Sequence, residues 1–295
     1  MLNLVESHAK NKHAIRIFEV GPRDGLQNEK HFVPTDKKIA LINGLSAIGF
    51  KKIEATNFVS PKWVPQMQDA SVVMAGIKRI SNVRYAALTP NIKGFEQALE
   101  AKCDEIAIFA SASQGFSHKN INCSIAESLQ RFIPIAHRAK QANIPMRGYV
   151  SCITDCPYDG AVDPAQTLYV TNELFKLGCY EVSLGDTIGA ATPDSTERLL
   201  TTLSHHVDMH KLAGHFHDTK GNALANIAVC LAHGISSFDS AIAGLGGCPY
   251  AKGATGNIAT EKLVRYLHEN HFITDIDEAK LHALIPFATS FKSAC

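Results

Sequence analysis

The chain has 295 residues, of which 29 are basic and 28 acidic, so its formal net charge is only +1. This balance argues against a nucleic-acid-binding or an anionic-membrane-binding surface as the main activity. Hydrophobic residues form 45% of the chain, and no linker, charge block or low-complexity tract divides it. We therefore expect a single domain over residues 1–295.

The cysteines and the amino terminus bear on the compartment. The eight cysteines form no CxxC pair and no regular framework; they are Cys103, Cys123, Cys152, Cys156, Cys179, Cys230, Cys248 and Cys295. Free thiols in a reducing compartment are expected for a chain of this size. The start of the chain lacks the apolar core of a signal peptide, and no later run is long enough to span a membrane. The sequence therefore predicts a soluble, cytoplasmic protein.

Eight apolar runs of the kind that form β-strands occur along the chain. In chain order they are IRIFEV, KKIEA, VRYAAL, DEIAIFA, MRGYVSC, YEVSL, LAGHFHD and SSFDSAIA. Most are separated by segments with helical periodicity. The first helix is expected to have Thr35 as its N-cap and to end at Gly49, and Gly178 and Gly234 are expected to end two others. In ATPDSTERLL, Thr192 is the predicted N-cap, followed by proline in the first helical position.

This alternation over roughly 250 residues is typical of an α/β fold of the (β/α)₈ TIM-barrel type. The barrel core is expected over about residues 15–275, with a helical extension over about 276–295. A doubly wound open sheet is the alternative, because spacing alone does not show closure. No GxGxxG follows the first strand, where EVGPRDG stands instead. In a barrel, functional side chains gather where the strands end.

Charged residues stand at several of these predicted strand ends. Arg23 and Asp24 follow the first strand, in EVGPRDGLQNEK; alone, such a pair is usually solvated or caps a helix. Glu54 lies in the second strand and Asp186 ends the sixth. A carboxylate in an apolar run needs a cation or several hydrogen-bond donors to offset its desolvation. Structural ion pairs would also satisfy that need, but the coincidence at several strand ends favours a functional site.

The seventh strand carries two histidines, His215 and His217, in GHFHDTKG. Their side chains share one face because they are two residues apart on a strand. Such a pair at a barrel mouth has the spacing of metal ligands, although buried histidines with ordinary hydrogen bonds are the plainer reading.

After the eighth strand comes GLGGCPYAKGATGNIATE, a glycine-rich segment with Cys248, Asn257 and Glu261. Glycines allow the backbone to fold over a ligand or to close as a lid. An asparagine carbonyl is a suitable ligand for a hard cation. A structural turn with a buried cysteine is the alternative, at the cost of many backbone polar groups to satisfy.

Five segments together resemble the 3-hydroxy-3-methylglutaryl-CoA (HMG-CoA) lyase family, in order over roughly residues 15–275. They are EVGPRDGLQNEK, EATNFVSPKWVPQMQD, SLGDTIGAATP, GHFHDTKGNALAN and AGLGGCPYAKGATGNIATE. The related Claisen-type synthases typically have Thr-Leu before the arginine, where this chain has Gly21-Pro22, and they lack the Gly-Gly-Cys-Pro loop. One departure is Asn57, where many relatives have serine; it is expected to alter a hydrogen bond near the site and not the reaction class.

The resemblance implies a retro-Claisen cleavage of HMG-CoA to acetyl-CoA and acetoacetate, with a divalent cation. By motif, the metal ligands are Asp24, His215, His217 and Asn257. This oxygen and nitrogen set suits Mg²⁺ or Mn²⁺, and zinc or cobalt would also bind. No organic cofactor is implied. The cation eases loss of the substrate hydroxyl proton, which Asp24 or a metal-site histidine such as His215 accepts.

The resemblance assigns further roles. Arg23 stabilises the enolate and binds substrate. Cys248 is the general acid that protonates the enolate carbon, since a thiol is mostly protonated at neutral pH yet acidic enough to donate. Glu54 and Asp186 are expected to position Arg23 and the histidines, and Glu261 to help hold the loop.

The implied partners are an acyl-CoA substrate and a second copy of the chain in a homodimer, with no nucleic acid and no membrane. Lys30 and Lys252 are candidates for contacts with the CoA phosphates. The usual pathway of this family is leucine degradation.

Three alternatives remain open at the level of sequence. A lyase or Claisen-type synthase acting on a related acyl-CoA would use the same machinery with another pocket. A metal-dependent hydrolase would use Asp24 and both histidines but has no use for Cys248. A catalytically silent barrel is disfavoured because all the named site residues are present.

Overall fold

The computed structural model describes residues 14–246 and 256–292. Ten strands are present in this part of the chain: β1 Arg16–Glu19, β2 Lys52–Asn57, β3 Arg84–Leu88, β4 Glu105–Ser111, β5 Met146–Ser151, β6 Asp155–Cys156, β7 Gly160–Ala161, β8 Glu181–Asp186, β9 Leu212–Phe216 and β10 Ser237–Ser240. The eight longer strands coincide with the eight apolar runs of the sequence. The short antiparallel pair β6–β7 follows β5 and has no counterpart among the predictions.

The eight longer strands form a closed parallel barrel in the order β1-β10-β9-β8-β5-β4-β3-β2. β1 closes it, with Arg16 opposite Ser237 of β10 and Phe18 opposite Lys52 of β2. Closure confirms the (β/α)₈ prediction and excludes the open doubly wound sheet. Because all eight strands are parallel, their carboxyl ends meet at one rim, where Arg23, Asp24 and the two predicted histidine ligands lie.

The described α-helices surround the barrel. They are α1 Thr35–Ser46, α2 Ala70–Gly76, α3 Ile92–Glu100, α4 Gln114–Ile121, α5 Ile125–Ala142, α6 Pro164–Lys176, α7 Pro193–Ser204, α8 Ala223–Ala232, α9 Thr260–Glu269 and α10 Glu278–Thr289. α10 confirms the predicted helical extension, and it packs so closely on α1 that a Cβ added at Gly44 would lie 2.9 Å from Leu284. No helix among the described residues is long and apolar enough to cross a membrane.

The helix boundaries test the local predictions. Thr192 caps α7 in a capping box with Ser195, as expected. Gly178 and Gly234 follow α6 and α8 with φ of +97° and +87°, values that favour glycine. The prediction for Thr35 is wrong: Pro34 holds the N-cap position, and the Thr35 hydroxyl donates instead to Asp69 on the neighbouring segment. The helix therefore begins one residue earlier than predicted, and the Thr35 hydroxyl makes a tertiary hydrogen bond.

Candidate active site

A tight turn places Arg23 and Asp24 at the carboxyl end of β1. Residues Gly21–Gly25 form one π-helical turn in which the amides of Arg23, Asp24 and Gly25 all donate to the carbonyl of Val20. A Cβ at Gly25 would lie 2.7 Å from that of Leu245, so only glycine allows this packing. The sequence Gly-Pro-Arg-Asp-Gly therefore folds compactly and directs two charged side chains into the barrel mouth.

The Arg23 side chain is buried and paired with two carboxylates. Its Nε donates to Glu54 Oε2 at 2.6 Å, and its Nη1 donates to Asp24 Oδ1 at 2.5 Å. The Tyr149 hydroxyl donates to the same oxygen of Glu54 at 3.1 Å. Burial acts to lower the pKa of Arg23, but Glu54 and Asp24 outweigh it and the pKa lies above its ordinary value. A solvated surface pair is thereby excluded, and the guanidinium is held in one orientation.

Asp24 faces both histidines of β9. Its Oδ2 lies 3.9 Å from Nε2 of His215 and 3.9 Å from Nε2 of His217, with both imidazoles nearly buried. These distances exceed a hydrogen bond but suit atoms that share one cation. Burial would raise the pKa of Asp24, yet Arg23 and the histidines hold it well below the usual range. Asp24, His215 and His217 thus form a group able to hold a metal ion.

The two histidines differ in their second ring nitrogen. His215 Nδ1 lies 3.2 Å from Asp239 Oδ2, which fixes the ring and directs Nε2 towards Asp24. Burial acts to lower the pKa of His215, but Asp239 and Asp24 raise it above its ordinary value. Burial lowers the pKa of His217, whose buried Nδ1 has no hydrogen-bond partner in the part of the chain that the structure describes. His217 therefore favours the neutral form that binds metals.

Asn257 reaches the same place from the other side of the glycine-rich segment. A β-bridge pairs its backbone with His217, and the amide of Ile258 donates to Phe216 O at 3.0 Å. The Asn257 Nδ2 donates to Asp24 Oδ2 at 2.9 Å. The four residues predicted as metal ligands are therefore brought together from the turn after β1, from β9 and the residue that follows it, and from the segment before α9.

The two ends of the glycine-rich segment touch each other. Gly246 and Gly256 have φ of +117° and +81°, and a Cβ at Gly256 would lie 2.2 Å from the Gly246 carbonyl oxygen. Glu261 Oε2 accepts from the amide of Ala243 at 3.0 Å, close to where the segment begins, in agreement with its expected supporting role. Cys248 and Lys252 lie outside the described residues, as does Cys295.

Asp186 and Lys30 stand apart from the ligand group. The Asp186 carboxylate accepts from the amides of Ala190 and Ala191, and burial raises its pKa to about 7. The hydrogen bond that orients a histidine comes from Asp239 and not, as expected, from Asp186, because the Asp186 oxygens are directed to the turn after β8. Lys30 is exposed beyond the Arg23–Asp24 turn.

A buried ion network behind the site went unrecognised in the sequence. Arg147 donates through both terminal nitrogens to Asp239, at 3.0 and 2.8 Å, and through Nε to Glu181 at 2.8 Å. Ser183 adds a hydroxyl donor to Asp239. The sequence does contain an indication of this network. Arg147 and Asp239 are charged residues inside apolar strand runs, the same feature that singled out Glu54.

Asn57, the departure from the family pattern, lies at the end of β2. Its Nδ2 lies 3.4 Å from Gln27 Oε1, and Gln27 Nε2 donates to Asp24 Oδ1 at 3.1 Å. Among the described residues, Asn57 is connected to Asp24 through Gln27.

Comparisons with known proteins agree with this geometry. The model of the HMGL-like family matches residues 14–287. The chain is 55% identical over 271 residues to the 3-hydroxy-3-isohexenylglutaryl-CoA/hydroxy-methylglutaryl-CoA lyase of Pseudomonas aeruginosa, covering 92% of this chain and 89% of that protein.

Solved structures give the same result. The HMG-CoA lyase of Brucella melitensis superposes with a TM-score of 0.94 at 53% identity, over 95% of this chain and 99% of that one. An HMG-CoA lyase of Acinetobacter baumannii, solved with coenzyme A and 3-methylmalate, gives 0.90 at 38% identity, over 94% and 91%. With the barrel, the Arg23–Asp24 turn and the two histidines in place, this chain belongs to the HMGL-like family of lyases.

Proposed function

We propose that this protein cleaves HMG-CoA to acetyl-CoA and acetoacetate with the help of a divalent cation. The observation that carries the proposal is the convergence of Asp24, His215 and His217 beside the buried guanidinium of Arg23. The chain is 55% identical, over 92% of its length, to a lyase named for hydroxy-methylglutaryl-CoA, and this similarity supports HMG-CoA as the substrate.

Asp24, His215, His217 and Asn257 are the residues that would hold the cation. One carboxylate, two imidazoles and one amide suit Mg²⁺ or Mn²⁺. Four protein ligands would leave two of the six coordination positions of such an ion for substrate oxygens or water. The spacing of 3.9 Å between Asp24 and each histidine, together with the nearly buried imidazoles, fits such an ion. Bound there, the cation supplies a Lewis acid for the oxygens of the substrate.

The reaction breaks the bond between C2 and C3 of HMG-CoA. The C3 hydroxyl proton passes to the Asp24–His215 pair, and the oxygen electrons form the ketone of acetoacetate. Asp24 is the acceptor of the two that fits the metal site, because a carboxylate keeps free lone pairs when one oxygen binds a cation, whereas His215 would bind the cation through Nε2 and has its Nδ1 on Asp239. The electron pair of the broken bond stays on C2, as the enolate of acetyl-CoA.

Arg23 stabilises the negative charge of that enolate. Its guanidinium is held by Glu54 and Asp24, so little reorganisation is needed when charge develops on the thioester oxygen. Cys248 then gives the thiol proton to C2 and completes acetyl-CoA; this role rests on the sequence motif alone. Asp186 remains a proposed contributor to catalysis. Lys30 and Lys252 remain proposed contacts for CoA.

The biological setting is part of the proposal. We place the protein as one domain, in a homodimer, in the cytoplasm, with leucine degradation as its pathway. The six described cysteines are buried and free, which agrees with a reducing compartment.

The decisive experiment measures acetoacetate release from HMG-CoA by reduced protein after chelation, with and without added Mg²⁺ or Mn²⁺. Release that depends on the cation is expected. No release from folded, metal-loaded protein would refute the substrate, and a related acyl-CoA with a longer C3 substituent would become the leading candidate, as the name of the Pseudomonas relative suggests. Hydrolysis without carbon–carbon cleavage would favour the hydrolase alternative.

A further inference from the structure

Glu19 is a fully buried carboxylate at the carboxyl end of β1 to which neither the motif nor the reaction assigns a role. Its Oε1 accepts from the amides of Gly21 and Ile242, each at 2.9 Å. Its Oε2 accepts from the Thr260 hydroxyl at 2.6 Å. Thr260 in turn shares a hydrogen bond of 2.8 Å with Ser240 at the end of β10. One side chain thus joins three separate segments.

Each of these segments carries part of the site. Gly21 opens the turn that holds Arg23 and Asp24. Residues 242–246 and 256–260 lie on either side of the central part of the glycine-rich segment, residues 247–255. We call these two flanking stretches the stem. Thr260 lies three residues after Asn257, the fourth proposed metal ligand.

The segments joined by Glu19 are closely packed against one another. A Cβ at Gly21 would lie 2.5 Å from Glu19 Oε1. The turn touches the stem between Gly25 and Leu245, and the two stretches of the stem touch at Gly246 and Gly256. A shift at Glu19 would therefore displace the turn that carries Asp24 and the stretch that carries Asn257 relative to each other.

The Glu19 carboxyl group is used for its geometry more than for its charge. Its described hydrogen bonds all come from neutral donors, two amides and one hydroxyl. Burial raises its pKa to about 7, and the nearby charge of Glu261 acts in the same direction. Oε1 accepts from both amides whether or not Oε2 carries a proton, so the arrangement persists in both forms.

We propose that Glu19 is a positioning residue that fixes the Arg23–Asp24 turn to both stretches of the stem and so sets the placement of Asp24 relative to Asn257. The inference deepens the proposed function, because it rests on those two residues being metal ligands.

The test compares Glu19→Ala with Glu19→Gln in the full-length protein. The matched control is Glu105→Ala, which removes another fully buried glutamate at the opposite end of the barrel, where Glu105 contacts Lys52 and Tyr180. We measure Mn²⁺ binding by calorimetry, kcat and KM for HMG-CoA, and Tm.

Glu19→Ala is expected to weaken Mn²⁺ binding and to lower kcat by about 10- to 100-fold, with a smaller change in KM. Glu19→Gln should restore most of both, because its amide oxygen accepts from the Gly21 and Ile242 amides. Glu105→Ala should lower Tm without changing Mn²⁺ affinity or kcat.

Unchanged Mn²⁺ affinity and kcat in folded Glu19→Ala, or equal losses in Glu105→Ala, would overturn the inference. If Glu19→Ala does not fold, Thr260→Val removes the donor to Oε2 together with the hydrogen bond to Ser240, and a loss of Mn²⁺ affinity that Thr260→Ser restores is expected. Wild-type affinity in Thr260→Val would overturn the inference. Wild-type protein that binds no Mn²⁺ would instead refute the proposed metal site itself.

Discussion

Two groups of polar side chains, largely buried apart from the half-exposed Arg16, lie in the barrel one above the other, and they differ in how their atoms are spaced. The lower group lies towards the amino ends of the strands and consists of Arg16, Arg147, Glu181 and Asp239. Its charged partners are within hydrogen-bonding distance, from 2.8 to 3.1 Å. The upper group is Asp24, His215, His217 and Asn257. There, Asp24 Oδ2 and each histidine Nε2 are 3.9 Å apart.

The lower group is an ion network whose charges are paired within the protein. The upper group is a set of ligands suited to binding a cation. In the lower group, each arginine has a carboxylate, so the buried charges are compensated within the protein. In the upper group, Asn257 donates to Asp24, but each imidazole lies too far from Asp24 to bond it, and His217 Nδ1 has no hydrogen-bond partner among the described residues. His215 joins the two groups, since Asp239 holds its ring from below.

Removing a ligand from the upper group should have the largest effect. Asp24→Ala leaves two imidazoles without their carboxylate, so we expect no measurable Mn²⁺ binding and kcat lower by about 10³-fold. Calorimetry and acetoacetate release provide the measurements, with the exposed Asp275→Ala as control. Substantial Mn²⁺ affinity in Asp24→Ala would show that the ligands lie elsewhere.

Replacing the guanidinium beside the upper group should come next. Arg23→Lys keeps the charge but cannot bond Glu54 and Asp24 through a planar fork, so kcat should fall by about 10²-fold with Mn²⁺ binding retained. The same exchange in the lower group, Arg16→Lys, affects a half-exposed arginine and should leave turnover unchanged. Equal losses in both variants would remove the distinction between the two groups.

Breaking the link between the groups should have an intermediate effect. Asp239→Asn weakens the hold on His215 and deprives Arg147 of a charged partner. Mn²⁺ affinity should fall by about tenfold, and Tm should fall as well. Ser183→Ala removes a donor to the same oxygen without touching the imidazole, so it should leave Mn²⁺ affinity intact. A loss of Tm with unchanged Mn²⁺ affinity in Asp239→Asn would assign Asp239 to the lower group alone.

The smallest expected effect is on how the stability of the protein depends on pH. Burial raises the pKa of Asp186 to about 7 from 3.8, so its contribution to stability is full below about pH 4 and is lost as pH rises through 7. Asp186→Asn cannot ionise, and in metal-free protein its Tm relative to wild type should rise from pH 5 to pH 8. The exposed Asp275→Asn should show no such trend. A Tm difference that is constant over this range would mean that the pKa of Asp186 is not raised.

The barrel could be predicted from patterns of local spacing, and so could the shared face of the two histidines, whereas the proposed ligand set was implied by the family resemblance. Apolar runs of strand length alternate with helical segments, and His215 and His217 share a strand face at any register. Thr35 was predicted wrongly because Asp69, distant in sequence, competes for its hydroxyl. Asp239 and Glu19 were missed for the same kind of reason: their partners come from other strands and turns.

The contact between Gly246 and Gly256 has a consequence for how this family can diversify. Because Gly246 and Gly256 are in contact, the number of residues between them does not determine where these two glycines sit. Closing a loop of twice the length costs only about 0.6 kcal/mol more. Insertions between these two glycines should therefore cost the fold little free energy, and the scaffold on either side can stay unchanged.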